Sequence, residues 1–481
     1  MDRVGLTSGG PGRAPSVQHR WWVLALLSLA QFMVILDVTV VNVALPVIAD
    51  QLGLDRAGLT WVVTAYTLCF GGLMLLGGRL ADTFGRRRLF LAGLVVFTGA
   101  SLVSGLAADA GMLIVARAAQ GVGAAMLSPS ALSIVTTTFH GPDRNKALGV
   151  WAALGGAGAA IGVVLGGLFT AGPGWRWVFF INVPTVVLVA VVLPMLLPGG
   201  AAERRGRVDA PGALLATGGM AALIYGLVRA GDAGWGDRLT LAGLVVGVVL
   251  LAVFLGVERR VGNPLVPLRA LTRRPVVAGN LVMLVASGLL LSNFFLGSQY
   301  LQHVLRFDPL STGLLFLPVA LVIGLGTHVG VRIVGRFGGR PAAVAGFALA
   351  AAGALMLSEL PGAGNPWLTL APGMAVSGLG LGAAFVTATT TAMAHVEPAD
   401  AGITAGLINS GHEVGASLGI AFVSTLAAAS LGAAAGRIPG VDGFSTAFTG
   451  AAVAAVVMLV VAAWLVPAGR PPAAAGPVFA H

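Results

Sequence analysis

The feature that most constrains this chain is a succession of long apolar runs separated by short loops that hold nearly all of its charge. A membrane-spanning helix needs about 20 mainly apolar residues. Fourteen such runs can be placed, at roughly 23–45, 58–78, 89–107, 111–132, 147–170, 177–197, 211–229, 239–256, 276–300, 309–331, 341–358, 367–391, 402–428 and 445–466. Because lipid offers no partner for an exposed N–H or C=O, each run has to satisfy its backbone internally, and a helix does so. Of 481 residues 57% are hydrophobic and 10% charged, whereas a soluble domain carries about 25% charged residues. An ordinary globular protein is excluded, and the fold class is all-α integral membrane. The 71 glycines lie largely within the apolar runs, where they let helix backbones approach closely.

A net charge of +10 raises the question of a nucleic-acid partner. The arginines, however, recur in short loops instead of gathering on one element. With the N-terminus inside, the cytoplasmic loops hold Arg79 and Arg86–Arg88, Arg144 and Lys146, Arg204, Arg205 and Arg207, Arg259 and Arg260, and Arg332, Arg336 and Arg340. The opposite side keeps Arg56, Arg176, Arg229, Arg238, Arg306 and Arg437. This bias predicts a multi-pass protein of the bacterial inner membrane with both termini cytoplasmic, and no nucleic acid as partner. No small-residue cleavage site precedes Asp37, so the first helix is expected to stay in the mature protein. The single Cys69 excludes an internal disulfide and a multi-cysteine metal site.

The runs group as six, two and six. A cytoplasmic tail (1–22) precedes a six-helix bundle (23–197); an accessory helix pair with basic linkers (198–275) leads to a second six-helix bundle (276–466) and a cytoplasmic tail (467–481). Two six-helix halves are a transporter architecture. A loop fragment recurs at equivalent places, GRLADTFGRRR at 78–88 after the second span and VGRFGGRP at 334–341 after the tenth.

An ionisable residue in mid-span costs about 2.5–3.5 kcal/mol on insertion scales and needs a partner, a watery cavity or a task. Asp37 in the first span and Arg117 in the fourth lie at similar depths. They are expected to face a central cavity as a pair or switchable network in which Asp37 takes up a proton; the alternative is a static ion pair that fixes packing. Glu413, beside His412 in the thirteenth span, is a carboxyl group among apolar helices, suited to carry a second proton, to select cationic substrates, or to hold helices by a neutral hydrogen bond. Asp82 and Arg86 sit where a charge contact with neighbouring helix ends would stabilise one access state, whereas Arg87 and Arg88 read as topology signals. Polar candidates for a substrate cavity are Gln31, Asn42, Tyr66, Gln120, Asn293, Gln299 and Asn409, each of which could equally serve an interhelical hydrogen bond. Trp61, Trp175, Trp177, Trp235 and Trp367 fall near predicted outer helix ends, as interfacial anchors do. Neither a GxxxxGK[ST] phosphate loop nor a His/Glu metal signature is present, which argues against an ATP-driven pump, an enzyme or a metal site.

These residues also carry a family resemblance. GRLADTFGRRRL at 78–89, with Gly78, Asp82, Gly85 and Arg86, resembles the cytoplasmic signature loop of the major facilitator superfamily. LDVTVVNVALP at 36–46 resembles the first-helix motif of its fourteen-helix drug:proton antiporters, LIVARAAQGVGAA at 113–125 their fourth-helix motif, and WRWVFFINVP at 175–184 the entrance of their sixth helix. GAAIGVVLGG at 158–167 keeps Gly158, Gly162, Gly166 and Gly167 of the antiporter motif, with Val163 where that motif has proline. Proline there would remove a backbone hydrogen bond and bend the helix. The resemblance implies two six-helix bundles around a central cavity plus two accessory helices, a small-molecule substrate, contact with membrane lipid, and a monomer that uses the proton as coupling ion and no cofactor. It implies export of drugs or other amphipathic molecules by alternating access; an importer or lipid translocator on the same scaffold is the alternative, and a polytopic sensor or enzyme a more distant one.

Overall fold

The computed structural model describes residues 17–54, 56–197, 209–261, 266, 272–394, 396–397, 400–427 and 441–469. The RRGR segment at 204–207, Arg437, the tails before 17 and after 469, and the side chains of Asn42 and Val163 lie outside this description. Every regular element among the described residues is helical. In chain order they are α1 (Val17–Leu52), α2 (Arg56–Phe84), α3 (Arg86–Gly105), α4 (Ala110–Thr138), α5 (Gly141–Ala171), α6 (Trp177–Phe180), α7 (Asn182–Leu196), α8 (Ala210–Ala233) and α9 (Arg238–Glu258). Then come α10 (Arg274–Gln299), which runs into a π-helical turn at Tyr300–Val304, α11 (Pro309–Phe337), α12 (Gly339–Ser358), α13 (Pro366–Met393), α14 (Ala401–Leu426) and α15 (Asp442–Leu465).

Twelve helical stretches among the described residues are long and apolar enough to cross a membrane. α5 and α14, at the expected fifth and thirteenth spans, are 31 and 26 residues long and are not among those twelve. The expected sixth span is interrupted at Ile181, which separates α6 from α7.

Helix starts explain where the acids go. Asp109, Asp237, Asp308 and Asn365 each accept a hydrogen bond from a backbone N–H in the first turn of α4, α9, α11 and α13, as N-cap side chains do for the unpaired amides of a helix start. At the other, arginine-rich end, α2 joins α3 through Gly85 at φ 97° and α11 joins α12 through Gly338 at φ 96°. Both turns need the left-handed region that glycine adopts without strain, so the repeated loop fragment makes the same turn twice.

One apolar core runs from Ala278 to Val466 through α10–α15. Two more are built mainly from α1–α7. The sets meet along α2 with α14 and α5 with α11. α8 and α9 form a hairpin closed on small residues: a Cβ at Gly226 would lie 2.8 Å from the Leu244 amide. This hairpin does not hang off the side of the bundle. α8 packs on α2 through Ala221 against Gly72 and Tyr225 stacked with Trp61 at 6.4 Å, and reaches α14 through Gly231 beside Ala421. Trp235, in the turn that follows, donates to Thr425 Oγ1 at 2.7 Å.

The tryptophans divide. Trp61, Trp177 and Trp367 are about half exposed, as anchors would be. Trp175 corrects the expectation: it is 1% exposed and donates to Gln51 Oε1 at 2.8 Å, because the turn before α6 folds it under α1.

Arg229 and Asp237 close the turn of the α8–α9 hairpin at 2.6 Å. The Arg229 hydrogen bond, aided by the Thr240 amide, holds the Asp237 carboxyl down to about 2. A carboxyl with a depressed folded value contributes above its ordinary range and loses that contribution only as pH falls through the folded value. The clasp is therefore constant between pH 5 and 8. Asp237→Asn is expected to leave the shape of the transport-versus-pH curve unchanged in that window; a shifted midpoint would contradict this assignment.

Candidate functional site

An arginine within a membrane helix must satisfy five N–H donors without water. Arg117 of α4 is 1% exposed and places three of them on neighbouring acceptors. Its Nη1 donates to Asp37 Oδ2 of α1 and, at 2.8 Å, to Gln120 Oε1 one turn along α4. Nε donates to the Val62 carbonyl of α2 at 3.2 Å, and the guanidinium lies 4.3 Å from the centre of the Tyr66 ring. Such a face-on contact adds cation–π attraction where water is excluded.

Asp37 is fully buried, and its other oxygen is held too. Oδ1 accepts from Gln120 Nε2 at 3.0 Å and from Asn182 Nδ2 at 3.2 Å, Asn182 being the first residue of α7. Ser101 of α3 accepts from the same Gln120 amide at 2.6 Å, and Ser104 donates to Gln120 Oε1 at 3.4 Å. Every partner of the Asp37 carboxyl is a donor, the arrangement an ionised carboxylate needs. Asp37 and Arg117 form an ion pair drawn inside α1–α4 and α7, fully enclosed in this conformation and not open to a central cavity. Tyr66 and Gln120 belong to this cluster; Tyr66 also donates to the Val34 carbonyl at 3.4 Å.

Sequence reasoning did not single out Ser101 or Asn182. The available signal was a lone Asn in the apolar WVFFINVP segment, since an amide in a span needs a partner.

Glu413 stands elsewhere. It is half-buried on α14 facing Gly71 of α2, where an added Cβ would lie 3.6 Å from Glu413 Cβ and overlap Ile224 of α8. No hydrogen bond or ion pair joins it to another described residue. His412 turns away to Ser287 on α10, Nδ1 to Oγ 2.6 Å. One turn nearer the arginine-rich end, Asn409 donates to Ser128 Oγ of α4 at 3.1 Å, a bond between the two helical sets. Asn293 donates to Ser377 at 2.7 Å within the second set, and its own amide oxygen, like that of Gln31, is buried without a partner among the described residues. Gln299 closes α10, half-buried, before the π turn.

The signature loop forms a fastening between the sets. Asp82 Oδ1 and Oδ2 accept from the Gly402 and Ile403 amides at the start of α14, both at 3.0 Å, with Arg86 3.6 Å from Asp82. A carboxylate at a helix N-terminus meets both unpaired amides and the positive end of the macrodipole. Gly78 permits the approach, because a Cβ there would overlap the Gly402 carbonyl. On the far seam Arg144 of α5 donates to the Met393 carbonyl at the end of α13 at 2.6 Å. Both contacts grip the short connection between α13 and α14. Asp82→Asn keeps one of the two acceptors, sets its NH2 against the other amide and loses the charge, the charge alone being worth about 1 kcal/mol at a helix end, or about fivefold in the balance of access states. The transport rate is expected to change by that order with the ranking of substrates unaltered; a changed ranking would place Asp82 at the substrate instead.

α5 lies on α1 along a small-residue stripe. Gly158 faces Ile35 and Phe32, Gly162 faces Thr39, and Gly166 faces Val40 and Val43, with Gly167 half-buried on the same helix. Among the described residues no three His, Cys, Asp or Glu side chains group as a metal site would require.

Comparison with known proteins agrees with this architecture. The family model for the Major Facilitator Superfamily matches residues 27–420. The puromycin resistance protein pur8 of Streptomyces alboniger is 42% identical over 469 residues, 95% of this chain and 93% of that one. The cephamycin export protein CmcT of Amycolatopsis lactamdurans is 39% identical over 424 residues, 86% of each chain. In fold, the chain superposes on the human organic anion transporter MFSD10 (TETRAN) with a TM-score of 0.65 at 15% identity, covering 92% of this chain and 99% of that one. It is a multi-pass membrane transporter and not an enzyme: the chain belongs to the Major Facilitator Superfamily.

Proposed function

We propose that this chain is a proton-coupled antiporter that exports antibiotics or similar small amphipathic molecules from the cytoplasm or inner leaflet by alternating access. The observation that carries the reading is the enclosed Asp37–Arg117 pair, a charged acid held by donors alone within membrane helices. Taking up a proton there removes one of two balanced charges and changes what each neighbour can bond to. Export as the direction of transport is supported by the likeness to CmcT, a cephamycin export protein, and is in keeping with that to pur8, a puromycin resistance protein. Glu413, at the seam of α2 and α14 without a partner among the described residues, is the second proton site or the charge that selects cationic substrates.

In this reading α5 and α14 cross the membrane with the other twelve, giving fourteen spans. Two six-helix bundles, 23–197 and 276–466, enclose the substrate path, and the accessory pair braces α2 against α14. Both termini are cytoplasmic in a bacterial inner membrane, the protein works as a monomer, and the proton is the coupling species with no cofactor. The fastenings at Asp82 and Arg144 then close the cytoplasmic side, and their release opens it.

Everted membrane vesicles supply the test, with puromycin as probe. Acidifying the lumen is expected to drive puromycin into it. No accumulation, or accumulation only when the outer medium is the acid side, would overturn the proposal.

A further inference from the structure

Asn182 offers one more observation. It is fully buried, its Nδ2 donates to Asp37 Oδ1, and its amide oxygen has no hydrogen-bond partner among the described residues. A buried acceptor left unpaired costs free energy, so its persistence beside an ionisable group calls for a reason.

The reason lies in what Asp37 needs when it carries a proton. Ionised, the carboxyl accepts from Arg117, Gln120 and Asn182. Protonated, it must donate one hydrogen bond, and each of those neighbours now presents an N–H. Gln120 Oε1 is already taken by Arg117 and Ser104. The Asn182 oxygen is the acceptor held in reserve: a half-turn of the side-chain amide exchanges Nδ2 and Oδ1 and sets oxygen against Asp37. Ser101 Oγ, 3.5 Å from Nδ2 in the present orientation, would then have the same oxygen to donate to. The residue stands where α6 gives way to α7, with Ile181 between the two helices.

We infer that Asn182 is a positioning residue that reads the proton on Asp37, donating to the carboxylate and, after rotating its amide, accepting from the carboxylic acid. This rests on Asp37 being the proton site. The other charged or titratable groups facing Asp37 are Arg117 from α4 and Tyr66 from α2. The polar side chains that reach the cluster from α3 and α7 are the uncharged Ser101, Ser104 and Asn182. The rotation passes the change on Asp37 to the α6–α7 junction, while Arg117 stays held by Val62 and Gln120.

pH-difference infrared spectroscopy on the full chain in liposomes tests this without a substrate. Acidification is expected to produce a carboxylic C=O stretching band that Asp37→Asn removes. In Asn182→Leu, which fills similar volume without polar atoms, that band should move to higher frequency, because the acid has lost the acceptor for its O–H. Asn182→Ala should move it the same way and serves if the leucine variant does not insert. The proton-dependent rate of puromycin export should fall about tenfold in either variant, the worth of one hydrogen bond to a charged group. A band lost in Asp37→Asn but unmoved in both Asn182 variants would overturn the role of Asn182 and leave Asp37 as the proton site. Absence of any Asp37-dependent band would overturn both.

Discussion

Asp37→Asn is expected to lower the steady-state accumulation of puromycin in everted vesicles about 50-fold, measured per amount of inserted protein. Each proton that moves across 100 mV contributes about 2.3 kcal/mol, and a tenfold ratio corresponds to about 1.4 kcal/mol, so losing one coupled proton removes a factor of that size. Asparagine keeps the shape of the acid and still accepts from Arg117 Nη1, and Arg117 keeps Gln120 and Val62 as acceptors, so the helices still assemble, at a cost in stability, while proton uptake is lost. Wild-type accumulation by this variant would sink the assignment of Asp37.

Arg117→Leu is expected to have the opposite emphasis. It leaves the Asp37 carboxylate fully buried with only amide donors and takes away the cation over Tyr66. Removing one partner of a buried ion pair costs about 3–5 kcal/mol. The thermal midpoint in detergent should fall clearly below that of the wild type, and Asp37→Asn combined with Arg117→Leu should recover part of the loss, since no unbalanced charge remains. Equal stability of Arg117→Leu and the wild type would show that the pair is not the electrostatic centre of this helix group.

Much of this was legible in the sequence because membrane helices obey simple demands. Run length and loop charge located the helices, and the cost of an intramembrane charge drew attention to Asp37 and Arg117 before any contact was known. What could not be read was pairing between helices. Asn182 and Ser101 meet Asp37 only once α3 and α7 close on α1, and nothing in the local periodicity of either helix says so. Trp175 looked like its neighbour Trp177 but is folded beneath α1 by a turn whose geometry the sequence leaves open. The accessory pair was visible as two apolar runs between basic loops; that α8 lies against both α2 and α14 depends on Gly71 and Gly72 being approached from outside their own bundle. Asp82 was expected to reach a neighbouring helix end, but which end could not be read, because its partner amides lie 320 and 321 residues away.

The claim that most needs testing is that drug and proton move in opposite directions. Everted vesicles preloaded with puromycin and diluted into drug-free medium, with no imposed proton gradient and a pH-sensitive dye in the lumen, measure this directly. As puromycin leaves, antiport carries protons inward, so the lumen should acidify beyond the baseline set by Asp37→Asn vesicles. A lumen that turns alkaline, or one that matches that baseline, would contradict proton antiport.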